Sequence, residues 1–227
     1  MALYLIGLGL STRSISLHGK KILKNVSKIY LESYTVEFPY TKKELEKELR
    51  IKVEEASREV VESDRLVNEA KDEDVALLVY GSPLSATTHI SLINSCKENK
   101  VKVNILHAGS VFDAVAESGL SLYKFGKTAS IPAWKDNFKP TSYMNIVSDN
   151  QKIGAHTLML VDIGLSFSDC KKQLDIKDKV VVCSRLGVKS RFFYDSLQAI
   201  DASQIKAPFC VIVPSELSEY EVESLKK

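Results

Sequence analysis

The 227-residue chain carries 31 Lys and Arg residues against 29 Asp and Glu residues, which leaves a formal net charge of +2. Its 44% hydrophobic and 26% charged content is typical of a soluble globular protein, and the small net charge gives no indication of a polyanionic partner such as a nucleic acid. No apolar run approaches the ~20 residues of a membrane span, no signal peptide is visible, and four isolated cysteines without a C-x-x-C pair indicate a reduced, cytosolic protein.

An apolar stretch at the start of the chain, residues 3–10, passes through Gly7 and Gly9 into a polar turn. This pattern predicts a buried strand whose carboxyl end meets a ligand, because glycine lets backbone approach closely and ligands of open α/β sheets lie at that edge. The nicotinamide fingerprint is incomplete, since its third glycine position holds Thr12. Glu32 follows a second apolar strand at about the distance of a ribose-binding acid. We favour a cofactor-binding first strand over a merely tight turn.

The first half of the chain alternates apolar strand patterns with amphipathic helix patterns. This alternation predicts a mainly parallel sheet. After the first strand, the predicted strands are residues 29–31, 51–53, 75–80 and 101–106. The predicted helices are residues 17–26, with Ser16 as the N-cap, a short helix that starts at the capping box Thr41-x-x-Glu44, residues 58–69, a helix that begins at 86–89, and a helix that ends near 117.

The second half reads as another α/β lobe. The composition changes near residues 119–126, so we expect a first lobe of residues 1–118 and a second of residues 119–227. A mixed sheet with antiparallel strands is expected there. The predicted strands are 127–131, 156–162, 180–185 and 209–214, and the predicted helices are 142–148, 168–174, 194–200 and 218–226, the last with a capping box from Ser218 to Glu221.

Three loops share one pattern, in which a buried strand is followed by glycine with small residues and then by a helix. They are residues 7–11, 81–85 and 109–111. Such loops offer backbone groups to a polar ligand, although α/β proteins carry glycine-rich turns at these places in any case. Their recurrence favours a ligand site without naming the ligand.

Other polar residues admit two interpretations each. His89, His107 and His156 lack the i, i+4 spacing of metal ligands, so capping or core hydrogen bonding is favoured over a metal site, and none is expected. Ser110 lacks the G-x-S-x-G elbow of a hydrolase nucleophile. Asp162 is either a substrate contact or a turn cap. Residues 123–127 pair aromatic with cationic side chains, either as a substrate surface or as a solvated linker.

Several segments together resemble one family, the diphthine synthases. The order of these segments is collinear and covers nearly the whole chain, and the Ala-Thr-Thr-His and Tyr-Lys-Phe-Gly-Lys segments are the most specific. They are residues 3–10 with 15–17, Tyr-Leu-Glu-Ser-Tyr-Thr at 30–35, Pro-Leu-Ser-Ala-Thr-Thr-His at 83–89, His-Ala-Gly-Ser-Val at 107–111, Leu-Tyr-Lys-Phe-Gly-Lys at 122–127, Pro-Thr-Ser-Tyr at 140–143, His-Thr-Leu at 156–158 with Asp-Ile at 162–163, and Val-Ile-Val-Pro at 211–214.

The resemblance implies a methyltransferase of the tetrapyrrole-methylase fold that uses S-adenosyl-L-methionine and releases S-adenosyl-L-homocysteine. It implies two α/β lobes with the cofactor between them, a homodimer, and a cytoplasmic protein with neither membrane nor direct nucleic-acid contact. The implied substrate is the 3-amino-3-carboxypropyl group on a histidine of translation elongation factor 2, whose amino group the archaeal-type enzyme trimethylates to give diphthine. Eukaryotic relatives also methylate the carboxylate.

The family's cofactor positions fall on residues of both halves of this chain. They are Leu10, Ser82, Ser85, Ser110, Val111, Val161, Leu186 and Phe209. Two positions depart from the family, which usually has Asp where this chain has Ser82 and often His where it has Phe209. The region between Asp162 and Val180 is also shorter than in the family, which weakens the assignment of Val161 and Leu186.

No catalytic residue is assigned. Transfer from a sulfonium mainly requires that a neutral amine be held against the methyl carbon, and the amine must first lose a proton, for which the sequence names no base. Two alternatives stay open. One is a methylase of the same fold acting on a small molecule such as a tetrapyrrole, and the other is a degenerate, non-catalytic binding protein.

Overall fold

The computed structural model describes residues 1–226. The chain divides into two compact units, Met1–Phe112 and Asp113–Lys227, and each contains one five-stranded sheet. This division falls shortly before the boundary at residue 118 that the composition indicates. None of the helices within residues 1–226 is both long and apolar enough to cross a membrane.

The first unit is built on a parallel sheet with the strand order β3-β2-β4-β1-β5. This arrangement confirms the parallel sheet predicted from the sequence. The strands are β1 (Ala2–Gly7), β2 (Lys28–Glu32), β3 (Glu54–Ala56), β4 (Val75–Val79) and β5 (Lys102–Leu106). The helices are α1 (Leu17–Ile22), α2 (Lys42–Leu49), α3 (Arg58–Glu62), α4 (Arg65–Asp72) and α5 (Ile90–Glu98).

Both faces of this sheet are buried, which explains the continuous apolar character of its central strands. One face of β1 and β4, with Leu5 and Leu77, packs in a cluster that includes residues of α3, α4 and α5. The opposite face, with Ile6 and Leu78, packs with Leu45 of α2 and other side chains. Because successive side chains of a strand point to opposite faces, both helical layers are anchored by the same short strands.

The second unit contains a mixed sheet with the order β6-β7-β10-β8-β9, in which only the β6–β7 pair is parallel. This topology confirms the predicted mixed sheet. Its strands are β6 (Ala129–Ile131), β7 (Thr157–Val161), β8 (Lys179–Ser184), β9 (Arg191–Ser196) and β10 (Phe209–Val213). Its helices are α7 (Tyr143–Lys152), α8 (Phe167–Gln173) and α9 (Glu219–Leu225), preceded by α6 (Val111–Ala114), which leads into the unit, and by the 3₁₀ helices Val115–Ser118 and Leu122–Lys124.

Two predictions for the first unit are wrong in detail. Residues 51–53 do not form a strand, because they are the exit of α2: Arg50 adopts a left-handed conformation with φ 56°, and the amides of Ile51 and Val53 bond to Glu46. Strand β3 begins only at Glu54. The single helix predicted over residues 58–69 is two helices, since Ser63 is extended and its hydroxyl accepts from the amide of Arg65 at the start of α4.

The helix predicted over residues 194–200 is also wrong. Residues 194–196 belong instead to β9, which lies antiparallel to β8 with Tyr194 opposite Val181, and residues 197–200 form the turn that follows. Aromatic residues favour a half-buried pleated surface, and here the run from Phe192 to Tyr194 pairs along a sheet edge. The guanidinium of Arg191 lies 4.9 Å from the ring centroid of Phe193, which adds a cross-residue contact on this strand.

Candidate functional site

Three glycine-containing loops meet at the carboxyl edge of the parallel sheet in the first unit. They follow β1, β4 and β5, which are neighbours in the order β4-β1-β5. Gly9 and Gly81 exchange backbone hydrogen bonds, each N–H donating to the other's carbonyl at 3.0 Å. A Cβ built on Gly81 would lie 3.8 Å from Cα of Ser110, so the third loop adjoins the second. The structure therefore brings together the three loops that the sequence analysis singled out.

The glycines of these loops serve two different purposes. A Cβ on Gly7 would lie 2.7 Å from the carbonyl oxygen of Gly81, and a Cβ on Gly9, whose φ is +67°, would lie 2.3 Å from Cβ of Ser14. These two glycines are required by the packing of the loops themselves. A Cβ on Gly109 would meet nothing within 4 Å. The backbone at Gly109 is thus open to a ligand.

Polar side chains line the same edge. Ser82 is buried, and its hydroxyl lies 3.3 Å from Nδ1 of His107 at the end of β5. Ser110 is also buried, and its hydroxyl accepts from the amide of Phe112. Leu10 is buried and accepts on its carbonyl a hydrogen bond from the Tyr80 hydroxyl at 3.3 Å. Ser85 and Val111, the other predicted cofactor positions of this unit, are half-buried on the second and third loops.

The remaining predicted cofactor positions lie at one edge of the second unit's sheet. Phe209 begins β10 and is opposite Ser184 of β8, while Cys210 is opposite Leu160 of β7. Val161 ends β7 and is half-buried, and Leu186 follows β8 and is buried. The register therefore places Val161 and Phe209 side by side at the edge where β8 also ends. The ring of Phe209 packs edge-on against Phe167 at 5.7 Å, so its side chain contributes to the core.

A buried carboxylate without a hydrogen bond of good geometry lies at the carboxyl end of β2. Glu32 is 0% exposed, and neither of its side-chain oxygens has a partner at good hydrogen-bond geometry. Burial raises the pKa of its carboxyl, and the nearby Thr35 hydroxyl and the amides of Thr35 and Tyr34 oppose that rise. The hydroxyl of Tyr34, two residues on, is buried and also without a partner. Sequence reasoning noted Glu32 only as a ribose-type acid and missed Tyr34. A charged residue that ends an otherwise apolar buried strand is the signal that points to this site.

His89 is buried at the start of α5 and is fixed by the loop that contains Ser82 and Ser85. Its Nδ1 lies 2.9 Å from the carbonyl oxygen of Pro83, which also accepts from the Thr87 hydroxyl at 2.7 Å. Ala86 within this loop has a φ of 57°, a left-handed conformation uncommon for a residue with a side chain. A tight, strained loop of this kind is typical of a ligand clamp.

The segment of residues 123–127 is an anchor within the second unit, and neither of the two interpretations left open for it describes Lys124. Nζ of Lys124 lies 2.7 Å from Oε2 of Glu221 in α9, and it also donates to the Glu216 carbonyl. His156 donates through Nε2 to Oε1 of Glu221 at 3.0 Å, and its Nδ1 accepts from the amide of Ser215. Within this segment, Lys124 therefore has a structural role.

Asp162 behaves as a turn cap. Its carboxylate accepts hydrogen bonds from the backbone amides of Ala133 at 3.2 Å and Ile163 at 3.0 Å. Both bonds lie inside the second unit and fix the chain after β7. The capping interpretation of Asp162 accounts for these contacts.

Adding a side chain at Gly109 is expected to weaken ligand binding without harming the fold. In Gly109→Val the new atoms enter open space, and the backbone there has no positive φ that would oppose them. We expect at least a tenfold loss of affinity, about 1.4 kcal/mol, for S-adenosylhomocysteine, the product that the resemblance implies, measured by calorimetry, with an unchanged melting temperature. Ala199→Val, which adds similar bulk at an exposed turn, is the matched control. Undiminished affinity in Gly109→Val would remove this loop from the site.

Comparison with families of known proteins gives a consistent result. The family model described as tetrapyrrole (corrin/porphyrin) methylases matches residues 2–201. The chain is 44% identical to the diphthine methyl ester synthase of Saccharomyces cerevisiae over 165 residues, which are 71% of this chain and 55% of the yeast protein. The chain thus spans only a little more than half the length of the fungal relatives that it matches.

Two further relatives extend over almost the whole chain. The diphthine synthase of Methanococcus vannielii is 34% identical over 99% of this chain and 97% of its own length. A solved structure of a diphthine synthase superposes with a TM-score of 0.91 at 29% identity, covering 100% of this chain and 95% of that one. The similarity therefore includes both units of the chain.

Proposed function

Because the chain belongs to the tetrapyrrole (corrin/porphyrin) methylase family and, within it, to the diphthine synthases, we propose that it is a methyltransferase that uses S-adenosyl-L-methionine. The substrate is the 3-amino-3-carboxypropyl group on a histidine of translation elongation factor 2. The complete reaction adds three methyl groups to the amino group of that side chain and gives diphthine. S-adenosyl-L-homocysteine is the second product.

The observation that carries this proposal is the meeting of three loops around an open backbone position. The loops after β4, β1 and β5 join through the Gly9–Gly81 bonds, and Gly109 leaves space beside the buried Ser110. Small residues that let a ligand approach the backbone closely suit a nucleoside-containing ligand that is held mostly by shape and main-chain contacts. The residues present therefore fit the cofactor that the family uses.

We infer that the cofactor is held by the eight positions that match the family. The first unit contributes Leu10, Ser82, Ser85, Ser110 and Val111, and the second contributes Val161, Leu186 and Phe209. Ser82 replaces the family's usual carboxylate with a hydroxyl already close to His107. The loss of one charge-assisted hydrogen bond would weaken binding by about 1.5 to 3 kcal/mol, so a weaker affinity than is usual for the family is expected.

The proposal is tested by intact mass. The chain is incubated with S-adenosylmethionine and with elongation factor 2 that carries the unmethylated precursor, and the mass of the factor is then measured. A gain of three methyl groups is the expected result. No gain, with S-adenosylhomocysteine binding intact by calorimetry, would indicate another acceptor, such as a small molecule acted on by a methylase of the same fold. No gain and no binding would support a non-catalytic protein.

A second product is favoured by one specific observation. The fungal relatives, at 44% identity, bear the name diphthine methyl ester synthase, whereas the relative from Methanococcus vannielii is named diphthine synthase. A fourth methyl group in the same mass experiment would place a methyl ester on the carboxylate. A gain of only three methyl groups would match the name of the relative from Methanococcus vannielii.

The assembly and location of the protein are also part of the proposal. We infer a homodimer that acts in the cytoplasm, where elongation factor 2 is found, without direct contact to nucleic acid or membrane. The support is family membership together with four free, buried cysteines. Light scattering coupled to size-exclusion chromatography would give twice the chain's 25.3 kDa for the dimer.

A further inference from the structure

Three aromatic rings of the first unit form a closed cluster beside the loops after β1 and β4. The ring centroids of Phe38 and Tyr80 lie 5.2 Å apart, and those of Phe38 and Tyr40 lie 5.4 Å apart, both pairs edge-on. The third pair, Tyr40 and Tyr80, is 6.3 Å apart and tilted by 44°. All three separations are those of interacting aromatic pairs, so each ring neighbours the other two. We call these three rings the aromatic cluster.

Tyr80 connects the aromatic cluster to the proposed cofactor positions. It directly precedes the loop that contains Ser82, and its hydroxyl donates to the carbonyl of Leu10 at 3.3 Å. The side chain of Tyr80 therefore bridges the loops after β1 and β4. Phe38 and Tyr40 come from the segment between β2 and α2, and β2 ends at the same edge of the sheet as β4. A substrate group that meets a cofactor held by these loops is thus brought close to the cluster.

The cluster has ring faces that no cation of this chain occupies. All three residues are half-buried, and their ring planes are inclined to one another by 44° to 76°, so the faces point in different directions. In the described part of the chain, residues 1–226, five other aromatic rings have a Lys or Arg over them, whereas Phe38 and Tyr40 have none. The hydroxyl of Tyr40 is buried and has no hydrogen-bond partner. The cluster can therefore receive a cation from outside the chain.

The proposed reaction changes how its substrate can be bound. Each methyl transfer replaces one N–H of the amino group by N–CH₃, so the trimethylated nitrogen keeps its positive charge but has no hydrogen-bond donor. A carboxylate or carbonyl partner would lose its hydrogen bonds as methylation proceeds. The face of an aromatic ring attracts a cation through its quadrupole and needs no N–H, which is why proteins bind quaternary ammonium groups with aromatic rings.

We propose that the aromatic cluster binds the methylated ammonium group of the substrate and product, with the faces of Phe38 and Tyr40 as the main contacts. The inference rests on the proposed function and adds the residues that retain the substrate between successive methyl transfers. The class of ligand is a dimethylammonium or trimethylammonium group on a flexible side chain. Packing of Phe38 and Tyr40 against the hydrophobic cluster that contains Ile6 and Leu78 holds the rings in place.

Binding is tested with choline, which carries a trimethylammonium group, and with neohexyl alcohol, which has the same shape without the charge. NMR titrations of the native protein with excess S-adenosylhomocysteine should show choline binding at least about tenfold more tightly than the alcohol. Tyr40→Leu and Phe38→Leu should each weaken choline binding by about threefold to thirtyfold, and Tyr40→Phe, which keeps the ring, should not. Tyr4→Leu, the same change at a half-buried position of the same hydrophobic cluster, is the matched control.

The effect on the reaction is measured by the intact mass of the elongation factor over time. In Tyr40→Leu the singly and doubly methylated factor should accumulate, because the third transfer is slowed about tenfold more than the first. The affinity for S-adenosylhomocysteine should stay within about threefold of that of the native protein. A purely structural role of the ring would slow all three transfers equally.

Several outcomes overturn the inference. They are equal affinity for choline and neohexyl alcohol, no detectable choline binding, choline binding that neither leucine variant weakens, and equal slowing of the three transfers. If the leucine variants do not fold, the comparison of choline with the alcohol on the native protein decides the matter. Choline binding by a native protein that transfers no methyl group would show instead that the proposed function fails while the cation site stands.

Discussion

Glu221→Ala is expected to destabilise the second unit by about 3 to 5 kcal/mol, the usual effect of removing one partner of a buried, hydrogen-bonded charge. The carboxylate is 2% exposed and accepts from five donors. Those donors are the amides of Ser121 and Ser218, the hydroxyl of Ser218, Nζ of Lys124 and Nε2 of His156. Its removal leaves the fully buried His156 without an acceptor, which is the costly consequence.

The measurement is made specific by the single tryptophan of the chain. Trp134 lies in the second unit, where its indole donates to the carbonyl of Pro140, so its fluorescence during urea unfolding follows that unit. Glu223→Ala removes an exposed carboxylate from the same helix and should change the unfolding free energy by less than about 0.5 kcal/mol. If Glu221→Ala and Glu223→Ala had the same unfolding free energy, the hydrogen bonds around Glu221 would not stabilise the packing of α9.

The same network makes the stability of the second unit depend on pH. Burial alone would raise the pKa of Glu221, but the hydrogen bonds from Lys124, His156, Ser218 and Ser121 outweigh it and hold the pKa well below the usual value of 4.5. The stabilising contribution is therefore complete above pH 4.5 and is lost as pH falls below it. The difference in unfolding free energy between the native protein and Glu221→Gln should accordingly become smaller as the pH falls below 4.5.

Local patterns were sufficient to predict much of this fold. The apolar run before Gly7 and the one from Val75 to Val79 are the central strands of the parallel sheet, as expected for strands buried on both faces. Both predicted capping boxes, at Thr41 and Ser218, are present with both of their reciprocal hydrogen bonds. These features depend on residues within a few positions of each other, so a single sequence contains them in full.

Features that depend on distant residues could not be predicted. Glu221 looks like an ordinary capping-box residue in the sequence, yet its other partners lie up to 100 positions away. The parallel pairing of β2 with β4 likewise joins strands that are far apart in the chain and places their carboxyl ends at one edge. Strand β9 was missed because residues 194–200 permit a helical reading, and only the pairing with β8 decides against it.

The proposed cofactor positions show why the family resemblance added what the chemistry of the residues could not. Leu10, Val111 and Leu186 have no polar side-chain atoms, so no motif of reactive groups would select them. At Leu10 the backbone carbonyl is engaged by Tyr80, and at Gly109 the open backbone is the relevant feature. A site that binds through main-chain groups and shape can be located in a sequence by the positions of its glycines. Those positions indicate where a ligand binds but not which ligand it is.

Gly9→Ala is the second substitution for which we expect a large effect, on both stability and cofactor binding. A residue with a side chain pays about 1 to 2 kcal/mol for the left-handed conformation that the φ of +67° imposes. The overlap of the new Cβ with Cβ of Ser14, 2.3 Å away, adds about 1 to 3 kcal/mol. Because Gly9 is bonded to Gly81, a shift here displaces the loop that contains Ser82, and S-adenosylhomocysteine affinity should fall at least about a hundredfold.

The double variant Gly9→Ala/Ser14→Gly separates the two causes. Removing Cβ of Ser14 eliminates the closest contact but leaves the left-handed backbone and the carbonyl oxygen of Ser14 at 3.1 Å. Unfolding followed by circular dichroism should therefore recover about 1 to 3 kcal/mol relative to Gly9→Ala, and affinity should recover in part. Ser14→Gly alone controls for the lost hydroxyl contact with Ser11. If the double variant regained stability but no affinity, the loop after β1 would touch the cofactor through Gly9 itself. If the double variant recovered neither stability nor affinity, the effect would come from the left-handed backbone and the remaining contact with the Ser14 carbonyl oxygen.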